Sequence, residues 1–254
     1  MTGFRVGVQL RPQHCTIEDL RAGWRQADEL GLDSVWTWDH FFPLFGEPDG
    51  PHFEGWSLLA AMACETSRAR FGMLVTCNSY RNPQLLADMA RTIDHLSGGR
   101  LILGIGSGWF ERDYDEYGYA FGTATGRLEA LGESLPVIKE RLGKLDPPPL
   151  GDLPILIGGE GEKMTLRLVA EHAQMWNGFG PPERFARKNE VLDRWCKEIG
   201  RDPSEIERTV TIDEPEELDA LDDFLEARAE HVIVGLDAPF DFTQVKGVLE
   251  RART

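Results

Sequence analysis

The sequence predicts an α/β fold, a single (β/α)8 TIM barrel, on three observations. Short β-rich runs alternate with helical patterns eight times along the chain and leave no segment over. Strands separated by helices pair in parallel, and eight such units close on themselves. The 254 residues match one such barrel, typically about 250 residues, and no linker divides them, so residues 1–254 are read as one domain. Two strand segments, at 100–108 and 153–161, end in glycines, which permit close backbone approach where barrel enzymes place their sites. An open doubly wound sheet is the competing architecture.

The first strand is read at residues 4–10. Thr16 and Asp19 then resemble a capping box, and Ile17, Leu20, Trp24, Ala27 and Leu30 follow at helical spacing until Gly31. The second strand, 34–40, ends in Asp39 and His40; a loop rich in Phe, Pro and Gly and a helix near 56–65 follow. The third strand spans 71–77, and its helix runs from about 84 to 96 with Leu85, Met89, Ile93 and Leu96 on one face. Strand four, 101–106, leads into a loop carrying Trp109, Phe110, Tyr114, Tyr117 and Tyr119, then a helix at 127–142. The Pro run at 147–149 cannot be helical and delivers the chain to strand five at 155–157. That strand runs into Gly158, Gly159 and Gly161, with a helix expected at once. Free N–H groups at such a helix start form an anion site suited to a phosphate. Strands six, seven and eight are read at 174–179, 208–212 and 231–236, with helices at 182–199, after strand seven, and at 242–253.

Bulk properties narrow the class. A net charge of −16 argues against nucleic acid or an anionic membrane as partner, since both need clustered cations. Nine carboxylates fall between 213 and 230 against Arg228 alone, and read as the solvated face of a helix that turns Leu218, Leu221, Phe224 and Leu225 inward. Cys15, Cys64, Cys77 and Cys196 are scattered without a C-x-x-C pair, as expected of reduced thiols in a cytoplasmic protein. No run approaches the roughly 18 apolar residues needed to span a bilayer.

The chemistry-bearing candidates gather at the expected carboxyl ends of the strands. Asp39 beside His40 can orient a ring or move a proton. Thr76 and Asn78 offer short polar side chains to a cofactor ring or its polyol chain. Cys77 is read as packing. Gly104, Gly106 and Gly108 lack the spacing and following helix of a dinucleotide fingerprint, so a nicotinamide site is rejected; they are read as letting a flat ring approach, walled by Trp109 or Phe110. The six histidines include no H-x-H or H-E-x-x-H, so no metal is expected. The serine elbow G-x-S-x-G does not occur. The many tryptophans, Trp38 and Trp109 among them, suit an aromatic-walled pocket for a tricyclic ring.

Four blocks carry a resemblance: S-V-W-T-W-D-H-F at 34–41, G-M-L-V-T-C-N-S-Y-R-N-P at 72–83, D-H-L-S-G-G-R-L-I-L-G-I-G-S-G-W-F-E-R-D at 94–113 and L-P-I-L-I-G-G-E-G-E-K-M at 153–164. Through them the chain resembles the luciferase-like monooxygenase superfamily, and within it the F420-dependent (deazaflavin) oxidoreductases. The resemblance implies hydride transfer between coenzyme F420, an 8-hydroxy-5-deazaflavin, and a small organic substrate. It places the phosphate on Gly158, Gly159, Glu160 and Gly161, and the ring and ribityl chain by Asp39, Thr76, Asn78, Ser107 and Gly108. His40 would handle the proton, steadied by Asp39, with substrate near Trp38, His40 and Trp109. A non-proline cis peptide is implied at 72–73 or 73–74, and a homodimer is implied as well. Sugar-phosphate dehydrogenases of this branch carry a glutamate where Trp109 stands, which argues against that substrate. Met175 replaces a common aspartate, and the segment at 143–152 is short. The alternatives are an FMN-dependent monooxygenase of the same superfamily and a non-catalytic flavin- or deazaflavin-binding protein.

Overall fold

The computed structural model describes residues 3–253. In chain order the elements are β1 (Arg5–Leu10), α1 (Ile17–Leu30), β2 (Ser34–Thr37), α2 (Gly55–Glu65), β3 (Arg70–Met73), β4 (Thr76–Cys77), α3 (Pro83–Ser97), β5 (Leu101–Gly106), α4 (Glu111–Tyr117), α5 (Ala124–Leu142), β6 (Ile155–Gly158), α6 (Thr165–His172), β7 (Met175–Phe179), α7 (Pro182–Ile199), β8 (Glu207–Ile212), α8 (Leu221–Glu226), β9 (His231–Leu236) and α9 (Thr243–Ala252). All pairings between these strands are parallel. β1 lies against β9 from Arg5↔His231 to Leu10↔Leu236, and β3 meets β5 at Phe71↔Leu101, which closes the ring. β3 and β4 are two pieces of one barrel strand, so the ring has eight members. The (β/α)8 reading holds.

Strand alternation separates two cores. Trp36, Ile102, Leu156, Met175 and Ile233 point inward and pack together inside the barrel. Their neighbours Val35, Leu101, Leu103, Ile155, Ile157, Trp176, Val232 and Val234 point outward into the larger core beneath the helices. Local signals fix the helix ends. Thr16 and Asp19 exchange reciprocal capping bonds at the start of α1, and Gly31 closes it at φ 74°. Leu221 and Phe224 are buried at 1% and 0% exposure, so the acidic segment does turn its apolar side inward.

Four local expectations are corrected. First, α3 buries Leu86, Ala87, Ala90, Ile93, Asp94 and Ser97, whereas Leu85 and Leu96 are 54% and 49% exposed. The helix is rotated because Asp94 faces in, where its Oδ2 accepts the N–H groups of Leu150 and Gly151 at 2.8 and 3.0 Å. Second, the aromatic loop after β5 contains α4. Third, the third strand is interrupted, and the cis peptide is Leu74–Val75, one residue beyond the expected bonds. Fourth, α6 does not follow the glycines at once, because a turn at 162–164 intervenes.

Candidate active site

At the carboxyl ends of the strands lies a cavity of about 360 Å³, a size usual for small ligands. Its floor is the inward step of the chain between β3 and β4. Gln9 Nε2 donates to the Leu74 carbonyl at 3.0 Å and holds that step from the β1 side. The surrounding glycines exist to seat it. A Cβ at Gly104 would stand 1.8 Å from the Met73 carbonyl oxygen, and one at Gly106 would stand 2.7 Å from Val75 Cγ2. A Cβ at Gly158 would meet Val75 Cγ1 at 3.0 Å. Gly104 and Gly106, read from sequence as room for a flat ligand, are therefore room for the chain step from Met73 to Val75, whereas a Cβ at Gly108 would meet the Tyr114 hydroxyl and Cys77 Sγ.

Thr76 is wholly buried on the cavity wall, and its hydroxyl has no partner among the described residues. A buried hydroxyl left unpaired is costly unless a ligand completes it. Deeper in the barrel, Asn177 Oδ1 accepts from Thr209 and Thr211 at 2.7 and 3.1 Å, which leaves Asn177 and Thr211 on the wall as a satisfied polar strip.

His40 stands over this floor on the cavity wall. Its Nδ1 lies 2.7 Å from Asp113 Oδ2. Asp113 is completely buried at the start of α4, and it also accepts the Tyr80 hydroxyl at 3.0 Å and the Phe41 N–H at 3.1 Å. Burial and the nearby Cys77 and Asp113 push the Tyr80 phenol far above its ordinary range, so it stays a donor. A carboxylate only accepts, so Nδ1 carries the hydrogen and Nε2 is the nitrogen left for proton transfer. The rings of Trp38, Trp109 and Phe110 meet His40 edge-on at centroid distances of 5.9, 5.7 and 5.5 Å.

This corrects the expected pairing of His40 with Asp39. Asp39 faces the other way, taking Arg81 at 2.5 and 2.9 Å and the Cys77 N–H at 2.9 Å. Burial raises the Asp39 carboxyl, against the pull of Arg81 and of the Cys77 N–H. Burial also works against the Arg81 charge, but Asp39 and Glu54 outweigh it and keep the guanidinium firmly protonated. Cys77 lines the cavity as a thiol raised by burial, which is no activated nucleophile. Behind Trp38, His52 Nε2 accepts the indole N–H at 3.0 Å. Burial, with a lesser push from His40, takes His52 down to about 4.

The other sequence candidates divide by position. Trp38, Asp39, His40, Thr76, Ser107, Gly108, Trp109, Gly158 and Gly159 all line the cavity. Asn78 is buried at the start of a 3-10 turn, away from the wall. Glu160 accepts the Phe179 N–H at 3.1 Å and pairs with Arg184. A Cβ at Gly161 would back onto Thr165, 2.7 Å from its hydroxyl. The Gly159 N–H is engaged by the Asn177 carbonyl at 3.2 Å, so a phosphate cup would draw on the N–H groups that follow. Gln9 ends the first strand on the cavity wall, where the sequence places a strand end; Arg11, Tyr80 and Asp113 were not singled out from sequence. Asp113 sits 73 positions from His40, and no local spacing links them.

A larger groove of about 1540 Å³ lies at the opposite end, beside the strand starts at Arg5, Gln174 and Glu207. Its charges answer one another, Arg5 with Glu207 and both Arg208 and Arg228 with Asp193. Barrel active sites do not occupy that end. Among the described residues, no cluster of His, Cys, Asp or Glu fits a metal ion, and no helix is long and apolar enough to cross a membrane.

A barrel with its pocket over an inward step in the third strand, overhung by a histidine, defines a class. The family model for luciferase-like monooxygenases matches residues 1–214, and the chain belongs to that family. An F420-dependent glucose-6-phosphate dehydrogenase of Amycolatopsis mediterranei is 35% identical over 140 residues, which cover 54% of this chain and 41% of that protein. A phthiodiolone/phenolphthiodiolone dimycocerosates ketoreductase of a Mycobacterium species is 29% identical over 248 residues, 81% of this chain and 64% of that protein. The chain thus spans less than two thirds of either relative. Among solved structures, an F420-dependent secondary alcohol dehydrogenase in complex with an F420–acetone adduct superimposes with a TM-score of 0.88 at 17% identity, covering 99% of this chain and 100% of that one. The FMN-bound oxygenating constituent of 3,6-diketocamphane monooxygenase from Pseudomonas putida gives 0.66 at 19% identity, over 82% of this chain and 67% of that one.

Proposed function

We propose that this chain is an oxidoreductase that transfers a hydride between coenzyme F420 and a small organic substrate. The observation that carries this reading is the joint presence, on one cavity, of the unpartnered Thr76 hydroxyl and the Asp113-bound His40. The residues fit a flavin-like group. Thr76, Ser107 and Gly108 would hold its ring side, and the N–H groups that follow Gly159 its phosphate. Asp39 acts through Arg81 and the Cys77 N–H to fix the β4 wall on which Thr76 stands. Bound there, the deazaflavin supplies a ring carbon that carries hydride.

The protein's part is orientation and proton transfer. Asp113 and Tyr80 hold the His40 ring, and His40 Nε2 gives or takes the proton at the substrate oxygen. Trp38 and Trp109 shield that exchange from water. The relatives named as F420-dependent support this cofactor. The family's monooxygenases, with an FMN-bound structure among the similar folds, favour a second reading as an FMN-dependent oxygenase. A homodimer in the cytoplasm, acting on a small molecule, completes the proposal.

Fluorescence titration of the purified protein with F420 and, separately, FMN tests it. Micromolar or tighter binding of F420 with weak FMN binding is expected. A preference for FMN with substrate-dependent oxygen uptake would establish the oxygenase reading, and binding of neither would overturn both.

A further inference from the structure

Three large aromatics are left exposed around the cavity mouth: Phe45 at 57%, Trp109 at 63% and Phe179 at 41%. Exposed apolar surface gathered at a pocket marks a binding site for an apolar partner. Leu44, Leu74 and Val75 continue that surface inward.

The charges at the same cavity are closed off in a consistent way. Among the described residues lining it, Arg11 is the single lysine or arginine. Arg11 is 6% exposed and is clamped between Asp213 at 2.6 Å and Asp237 at 2.7 Å. The guanidinium lies 5.9 Å from the Trp38 ring centre and 5.4 Å from that of Phe45. The fold makes room for this clamp, since a Cβ at Gly235 would stand 2.5 Å from Arg11 Nη2 and 2.8 Å from Asp213 Oδ1. Behind the wall, Arg81 repeats the pattern with Asp39 and Glu54. Each of these two cations therefore has two carboxylates, and the His40 ring already has Asp113.

An anionic substrate would meet no uncommitted cation here and would face carboxylates in excess. Like charges brought together at a binding site oppose association. A cationic substrate would lose its hydration against aromatic walls, with the nearby carboxylates already bound to arginine.

We infer that the substrate is a neutral, largely apolar molecule bearing a hydroxyl or carbonyl group, and that the doubly clamped Arg11 is what excludes anions. This rests on the functional reading above and narrows it. In the oxidative direction the substrate C–H bond would break, with its hydride passing to the deazaflavin when that is bound. The hydroxyl proton passes to His40 Nε2 as the carbon–oxygen double bond forms.

Three probes of one shape and different charge test the inference: cyclohexanol, cyclohexanecarboxylate and cyclohexylammonium. Calorimetric titrations use the protein loaded with F420 and the protein alone. Cyclohexanol is expected to bind at least ten-fold more tightly than either ion in both series. Asp213→Asn combined with Asp237→Asn, which frees Arg11, should tighten cyclohexanecarboxylate at least ten-fold; Asp237→Asn alone, the milder change, should shift it the same way. A smaller preference for cyclohexanol, no binding of cyclohexanol, or no gain for the carboxylate in either variant would overturn the inference. Failure of the cofactor reading would show separately as absence of F420 and FMN binding, and would leave the series on the protein alone intact.

Discussion

His40 and Asp113, one in the loop just past β2 and the other buried in α4, meet at 2.7 Å between Nδ1 and Oδ2. Because the carboxylate only accepts, this contact selects the tautomer with hydrogen on Nδ1 and presents Nε2 as a base. Asp113→Asn removes the charge that holds the ring. Positioned proton transfer contributes roughly 10²–10⁴-fold to rate, so turnover with F420 and cyclohexanol should fall by about 100-fold while KM changes little. Nitrogen-15 histidine spectra should show the Nδ1–H tautomer for His40 in the wild type and a mixture in the variant. A matching rise in KM with kcat preserved would mean that Asp113 shapes binding and not proton transfer.

Gly106 and Val75 make the floor, and their relation can be measured by a double-mutant cycle. Gly106→Ala puts a methyl 2.7 Å from Val75 Cγ2 and should destabilise the protein by about 2–3 kcal/mol in urea unfolding, as overpacking does. Val75→Ala should recover much of that loss, giving a coupling of about 1 kcal/mol or more. Gly104→Ala, whose obstacle is the Met73 backbone carbonyl, should gain nothing from the same rescue.

Removing one partner of a buried ion pair strands the other. The side chains of Asp39 and Arg81 are 1% and 11% exposed, so Asp39→Ala should cost about 3–5 kcal/mol by chemical denaturation. Replacing both, as Asp39→Leu with Arg81→Met, should cost less than the single change. A single variant as stable as the wild type would show that Glu54 alone suffices for Arg81.

The barrel was legible because its signals are local: β-rich runs ending in glycine, the Thr16–Asp19 box, the Gly31 cap. The lining of the candidate cavity was legible only near strand ends, as at His40, Thr76, Ser107 and Gly158. What sequence could not supply were contacts across the fold. His40 sits next to Asp39, and adjacency suggested the pair; the fold turns the two side chains apart and gives each a distant partner, Asp113 and Arg81. The rotation of α3 was missed for a similar reason, since apolar spacing favours Leu85 and Leu96 and says nothing of a buried Asp94 serving the loop before β6.

His52 gives a pH dependence whose sign follows from one hydrogen bond. Its Nε2 accepts the Trp38 indole N–H at 3.0 Å, so protonating it would set two N–H groups against each other. Burial first, and the proximity of His40 next, take it from 6.5 to about 4. Between those values the unfolded chain binds a proton that the folded protein refuses, so stability rises with pH across this window. The contribution is fully present above about pH 6.5 and is lost as pH falls toward 4; at about 1.36 kcal/mol per pH unit it amounts to on the order of 3 kcal/mol. His52→Gln keeps an acceptor for Trp38 and removes the titration. Urea unfolding followed by tryptophan emission at pH 7.5, 6.5, 5.5 and 4.5 should show the wild type losing stability faster than the variant as the medium is acidified. The carboxylates common to both proteins cancel in the difference. Parallel curves would mean that Trp38 releases His52 and lets it charge, loosening the wall on which His40 rests.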